Sequence, residues 1–410
     1  MTVNGIIAEY NPFHNGHLNH ILRSKAMTGA DYTIAVMSGN YVQRGAPAVV
    51  DKFVRTKMAL ENGIDLVLEI PSCYSTASAE YFATAGVTLL DKLGVVNYLS
   101  FGSEDGNIET LRRIASILTE EPPEYAELLG RYLHDGYTYP IARNNALIQY
   151  ETSLFDATRV MESPNNILGI EYIKALTLRN SSITPITLPR DGSNYHDRYM
   201  NEGSCGASAT AIREAIPGGG DFSTAMPDSA YMDLFEEIEQ GRIMDLDDFS
   251  AVMYYKLLQE KKIGYASYFD VSKTLSDRII KMLPEFTSFK NFIEDVKSRD
   301  RTYTRISRCL LHILLDITGI DVKSYELIDY IPYARVLGFR KDAEPLLTEI
   351  KYKSSIPIIT KVADASGILY AEPWKMFRNE LRANEIYYSA LAIKTLTPAK
   401  NEFSTPLVII

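Results

Sequence analysis

A chain of 410 residues is long enough for two or three domains and a large core. Its 46% hydrophobic and 23% charged content is that of an ordinary globular protein, and no apolar run reaches transmembrane length, so no membrane association is expected. The net charge of −10 argues against nonspecific nucleic-acid binding by the whole surface.

The opening Met1-Thr2-Val3-Asn4-Gly5 lacks the basic start of a secretory leader. Cys73, Cys205 and Cys309 lie far apart, with neither metal-ligand spacing nor a disulfide framework. A cytoplasmic protein with no metal site of its own is expected.

Strand signals then alternate with helical ones. Strands are predicted at Gly5-Glu9, Tyr32-Met37, Leu66-Ile70, Tyr98-Phe101 and near Ile183-Leu188. Helical patterns cover Leu18-Met27, Asp51-Asn62, Ser75-Leu93 and Ile167-Leu178. This order predicts an α/β domain: a Rossmann-like parallel sheet with helices on both faces, over residues 1–225. A mostly helical insertion occupies about 109–161. Pro217-Gly218-Gly219-Gly220 marks a boundary. Residues 226–410 read as a mainly α-helical second domain, with short strands at Tyr333-Phe339 and Ile356-Val362 and a long helix at Trp374-Thr395.

The most informative stretch is His14-Asn15-Gly16-His17, after the first strand and the turn Asn11-Pro12-Phe13. A strand–turn–helix junction presents backbone N–H groups where a phosphate can sit. Two imidazoles there can donate to charge developing on an attacked α-phosphate. Ser38-Gly39-Asn40-Tyr41-Val42-Gln43-Arg44-Gly45 follows the second strand, and Phe101-Gly102-Ser103-Glu104 a later one. In Pro164-Asn165-Asn166, capping accounts for one asparagine and leaves the other for a base edge. Arg190 ends a strand, and Ser208-Ala209-Thr210-Ala211-Ile212-Arg213 opens a helix with hydroxyls and a cation suited to β- and γ-phosphates. Lys297, Arg299, Arg301, Arg305 and Arg308 form a local basic cluster, a candidate RNA surface. Walker A, GxGxxG and HExxH patterns are absent.

The histidine turn and the Ser208–Arg213 stretch resemble the HIGH-type nucleotidyltransferase superfamily. More narrowly, Gly5 to His17, Val36 to Gly45, Ser78-Ala79-Glu80-Tyr81-Phe82-Ala83, Phe101 to Glu104, Pro164-Asn165-Asn166-Ile167-Leu168-Gly169, Tyr303-Thr304-Arg305-Ile306 and Arg335-Val336-Leu337-Gly338-Phe339 resemble the bacterial tRNA(Met) cytidine acetate ligases. That resemblance implies an ATP- and acetate-dependent ligase making N4-acetylcytidine at the wobble position of elongator methionine tRNA. It implies ATP binding by the turn Ile7-Ala8-Glu9-Tyr10-Asn11-Pro12-Phe13-His14-Asn15-Gly16-His17-Leu18-Asn19-His20, by Gly102, by one of Asn165 and Asn166, and by Arg190.

On this reading acetate attacks the α-phosphate, giving acetyl-adenylate and pyrophosphate, and cytidine N4 then attacks the acetyl carbonyl. His14 and His17 are the catalytic candidates, and Arg190 and Arg213 suit the leaving pyrophosphate. Mg²⁺ is expected to accompany ATP, held mainly by phosphates and water. The rival is an adenylyltransferase that moves AMP onto a small metabolite. The basic cluster argues against it, since a small substrate needs no such platform.

Overall fold

The computed structural model describes residues 1–151, 157–189, 208–298 and 301–410. Five parallel strands follow the predicted order: β1 (Val3–Ala8), β2 (Tyr32–Ser38), β5 (Leu66–Ile70), β6 (Tyr98–Ser103) and β7 (Thr184–Pro189). Between β2 and β5 lies a hairpin of two-residue strands, β3 (Tyr41–Val42) and β4 (Ala46–Pro47). Late in the chain come β8 (Ala334–Phe339), β9 (Ile358–Ile359) and β10 (Val408–Ile409).

The main sheet has the order β10-β8-β5-β2-β1-β6-β7, with β9 also on β8. From β1 the chain winds outward through β2 and β5, then crosses back to β6 and β7. The switch point lies between β1 and β6, where Asn4 and Gly5 pair with Tyr98 and Leu99. Open α/β sheets bind ligands at the carboxyl ends of strands flanking such a point.

The helix Asn15–Thr28 follows β1, Lys52–Glu61 precedes β5, and Ala79–Lys92 precedes β6. The pattern predicted from Ser75 to Leu93 is broken: a short helix, Ser72–Ser75, turns at Thr76–Ser78 before the long one starts. The expected insertion consists of helices Ile108–Glu120, Pro123–His134, Tyr139–Tyr150 and Ala157–Glu162.

Residues beyond 226 are mainly helical, as expected, but they do not close a core of their own. β8 runs antiparallel to β5 and extends the sheet, and β10 and β9 follow on its outer edge. One hydrophobic cluster runs from Val36 and Leu68 of the sheet to Phe292, Leu310 and Tyr387 of the helical part. The boundary near 225 therefore marks a change of composition rather than a division of the core. Strand pairing across some 270 residues leaves no local signal, so β8 could be recognised as a strand but not given a partner.

Candidate functional site

A cleft opens at the carboxyl ends of β1 and β6. Its walls include Ile7 to Tyr10, His14, His17 and His20, then Phe101 and Gly102, then Asn165, Leu168 and Tyr172, and finally Ser208, Thr210 and Arg213. Twelve of the sequence-selected residues thus meet at the switch point: Ile7, Ala8, Glu9, Tyr10, His14, His17, His20, Gly102, Asn165, Ser208, Thr210 and Arg213.

The histidine turn fixes its own tautomers. His14 caps the helix Asn15–Thr28, and its Nδ1 accepts the Gly16 N–H at 3.0 Å. His17 Nδ1 accepts the His14 N–H at 3.2 Å, completing a capping box. A nitrogen that accepts cannot carry the proton, so each neutral ring holds its proton on Nε2. The rings stack with centroids 3.7 Å apart. Gly16 permits this, since a Cβ there would lie 2.8 Å from His14 Cε1.

Other members of the turn hold it rather than line the cleft. Phe13 is wholly buried in the core. Asn11 Oδ1 accepts from Val49 N at 2.7 Å, and Asn15 Nδ2 donates to Thr224 O at 2.8 Å. Leu18 packs on the core, and Gly16 and Asn19 are exposed. Pro12 is buried.

The two asparagines divide their work. Asn166 is buried, and its Oδ1 accepts the N–H groups of Glu104 and Asp105 at 2.9 and 3.1 Å, tying the loop after β6 to the helix Pro164–Leu178. Asn165 faces the cleft while its Nδ2 donates to Glu104 Oε1 at 2.6 Å. Ser208 caps the helix Ala209–Ala215 through Ala211 N. Arg213 Nη1 reaches Asn11 O at 2.5 Å and Nη2 reaches Thr210 Oγ1 at 3.2 Å, so it braces the turn as well as facing the cleft. Arg190 lies outside the described residues, as does Arg299.

Several cleft residues were not among those assigned to ATP from sequence, although Gln43 and Arg44 lie in the Ser38–Gly45 stretch singled out there. Gln43 and Arg44 enter from the β3–β4 hairpin, and Phe82, Leu168 and Tyr172 supply an apolar wall. Asn165, Leu168 and Tyr172 are spaced i, i+3, i+7, a single helical face that was available as a signal. Arg55 was hidden inside a helical pattern. Its buried guanidinium donates to Glu9 O at 2.7 Å, Ser38 O at 3.0 Å, Val50 O at 3.1 Å and to Gly39 O. One cation thus gathers the ends of β1 and β2, and burial holds its pKa below the usual arginine value.

The structure places the members of the basic cluster differently. Lys297 pairs with Glu294 at 3.0 Å, Arg305 with Asp270 at 3.2 Å, and Arg301 donates to Thr274 Oγ1 at 2.6 Å, all on the surface. Arg308 is different. It is half-buried where its helix, Tyr303–Leu314, meets the hairpin, and its enclosed Nε has no hydrogen-bond partner among the described residues. The Ser307 hydroxyl donates to Gly45 O at 2.5 Å. Arg308 belongs to the join between hairpin and helix rather than to the open basic face.

Donor-lined clefts at a switch point, with two stacked imidazoles on the first turn, define a class: nucleotidyl transferases of the HIGH type. A model of that family, described as HIGH Nucleotidyl Transferase, matches residues 1–402. Among curated relatives, the tRNA(Met) cytidine acetate ligase of Acetivibrio thermocellus is 38% identical over 416 residues, and that of Thermoanaerobacter sp. strain X514 is 42% identical over 417, each alignment covering all of both chains. The crystal structure of Thermotoga maritima TmcAL in its apo form matches with a TM-score of 0.93 at 31% identity, covering both chains completely. The same protein bound with alpha-thio ATP matches at 0.91. The chain belongs to the tRNA(Met) cytidine acetate ligase family of HIGH nucleotidyl transferases.

Proposed function

We propose that this protein joins acetate to the exocyclic N4 of the wobble cytidine of elongator methionine tRNA, using ATP. The observation that carries the reading is the pair of imidazoles fixed as Nε2–H tautomers beside a cleft lined by hydroxyl, amide and guanidinium donors. Acetate attacks the α-phosphate, pyrophosphate leaves, and the acetyl group passes from acetyl-adenylate to the amine. The first step needs charge neutralisation and alignment rather than a protein nucleophile. His14 and His17 donate to the α-phosphate oxygens, and Arg213, Thr210 and Arg190 serve the pyrophosphate. The apolar wall of Phe82, Phe101, Leu168 and Tyr172 excludes water from the activated acyl group.

Mg²⁺ enters with ATP, on phosphates and water. Among the described residues no group of three or more His, Cys, Asp or Glu is placed to hold a metal ion. Lys297, Arg299, Arg301 and Arg305 meet tRNA phosphates. No described helix is long and apolar enough to cross a membrane. With ATP and tRNA as substrates, the reaction belongs to the cytoplasm.

The test is pyrophosphate–ATP exchange with acetate, formate, propionate or no carboxylate, followed by acetyl transfer to methionine tRNA. Acetate-dependent exchange with transfer to the tRNA is expected. Transfer of AMP to a small metabolite without acetate would return the protein to the adenylyltransferases.

A further inference from the structure

Most polar side chains facing the cleft can donate: three imidazoles, the Gln43 and Asn165 amides, the Arg44 and Arg213 guanidinia, and the Ser208 and Thr210 hydroxyls beside two tyrosines. They suit a polyanion. Glu9 does not. It is the only carboxylate among the described lining residues, and a carboxylate beside a triphosphate is repelled.

Its position is nonetheless closely built. Glu9 follows the last residue of β1 and precedes the histidine turn, so it shares the strand end with His14 and His17. Its carbonyl is held by Arg55 at 2.7 Å. Its Oε1 accepts the Gln43 N–H at 2.9 Å, which anchors it from the hairpin. A carboxylate has two oxygens and about four acceptor sites, so this anchor leaves capacity for a further donor.

We propose that Glu9 is the base for the second step, and that it recognises the amine of the acceptor; this rests on the ligase reading. Cytosine N4 is a poor nucleophile because its lone pair is delocalised into the ring. As N4 attacks the acetyl carbon, the bond from that carbon to the phosphate oxygen breaks and AMP leaves. The nitrogen must shed one proton to become the neutral amide. Glu9 accepts it at a carboxylate oxygen and releases it to solvent when product leaves. The donors serve the nucleotide, and Glu9, the one carboxylate among the described lining residues, serves the amine.

The test compares two acceptors for the same acetyl-adenylate. Wild type and Glu9→Gln are loaded with ATP and acetate, then chased with hydroxylamine or with methionine tRNA. Glutamine keeps an oxygen for the Gln43 N–H but cannot take a proton. Hydroxylamine is reactive enough to need little base. Whatever the substitution does to adenylation, tRNA acetylation should fall about 10²- to 10³-fold further than hydroxamate formation. Glu9→Asp should recover part of the transfer to tRNA while leaving the hydroxamate rate where Glu9→Gln leaves it.

Equal loss with both acceptors would overturn the assignment, most directly if raised Mg²⁺ restored both, since the carboxylate would then serve the metal. Unchanged transfer to tRNA would overturn it as well. A wild-type enzyme that forms no acetate-dependent hydroxamate would overturn the ligase reading and this inference with it.

Discussion

Gly45 is where the hairpin over the cleft meets the helical part, and replacing it by alanine tests that join. Its φ of +78° lies in the left-handed region, and an added Cβ would sit 2.5 Å from Arg308 N, 2.9 Å from Ser307 C and 3.0 Å from Arg308 Cα. All three are backbone atoms of a helix, so no flexible side chain can give way. Left-handed strain and overpacking together cost about 2–5 kcal/mol. A chain of this length unfolds with an entropy near 0.9 kcal/mol per kelvin, so Tm should fall only about 2–6 °C. The larger effect is local. A hairpin that swings away gives up the Ser307–Gly45 bond and disturbs the Gln43–Glu9 bond at the cleft wall. Gly45→Ala should therefore raise the ATP KM as well as lower Tm. Ser307→Ala removes the bond without the clash, at about 1–3 kcal/mol for the buried carbonyl left unpaired. Because both changes open the same join, the double variant should lose less than the two single losses combined. Thermal melts and acetate-dependent pyrophosphate exchange measure both effects. A Gly45→Ala protein with wild-type Tm and KM would refute the argument.

His14→Ala or His17→Ala should slow acetate-dependent pyrophosphate exchange by about 10²- to 10³-fold, and wild-type exchange in either would remove these rings from the chemistry. Replacing Arg301 and Arg305 by alanine should weaken tRNA binding and flatten its dependence on log salt by about one unit for each phosphate no longer neutralised, read by filter binding; an unchanged slope would move the RNA elsewhere. Arg308 is left out because its removal would also disturb the hairpin join. Burial, and then the charge of Glu69, raises Glu380 to a pKa of about 7 from an ordinary 4.5. The folded state holds that proton between those values and the unfolded chain does not, so stability falls as pH rises from 4.5 to 7, by on the order of 3 kcal/mol. Glu380→Gln should lose less stability than wild type from pH 5 to pH 8 in urea melts, and parallel pH curves would contradict this.

The parallel strands were legible because each is a short apolar run followed by turn residues and a helical period. The ends of those strands then marked the cleft, so Gly102 could be named without seeing it meet His14, while Ser208 was named as the hydroxyl-bearing start of a helix. The hairpin was not legible as strands: two residues carry no period of their own. Its sequence, Ser38 to Gly45, was conspicuous for reasons split between site and scaffold. Gln43 and Arg44 face the cleft, whereas Asn40 Nδ2 donates to Asn384 Oδ1 at 2.9 Å and Tyr41 OH donates to Ala383 O at 3.1 Å, both on the long helix Ala371–Thr395. Asn165 and Asn166 could not be separated by composition; only helix rotation, about 100° per residue, sends one to the cleft and one to the loop after β6. Arg308 read as a phosphate ligand because charge in sequence does not reveal which side of a helix is covered.

The C-terminal half is fastened to the sheet beside the cleft, at points that bear on how the site keeps its shape. Lys52 Nζ lies 2.6 Å from both Glu69 Oε1 and Glu402 Oε1, and Arg335 contacts Glu69 at 3.1 Å and Glu402 at 2.7 Å, all buried. Two cations and two carboxylates balance, and Glu380, a third buried carboxylate near by, is raised to about 7 by burial and then by the charge of Glu69. Burial works against ionisation of Glu402, but Lys52 and Arg335 outweigh it and hold the carboxyl below its ordinary value. Removing one member would leave an opposite charge buried without compensation, at about 3–5 kcal/mol. His312 makes a second fastening, with Nδ1 2.9 Å from Phe269 O and Nε2 3.1 Å from Thr76 O. A neutral ring can donate to only one of them, and burial keeps the ring neutral by lowering its pKa. The Gly45–Ser307 bond is the third. Lys52 begins the helix that carries Arg55, Thr76 precedes the helix that brings Phe82, and Gly45 follows Arg44. Each fastening thus acts next to an element that positions the cleft, which makes the helical half a scaffold for the nucleotide site as well as the proposed platform for RNA.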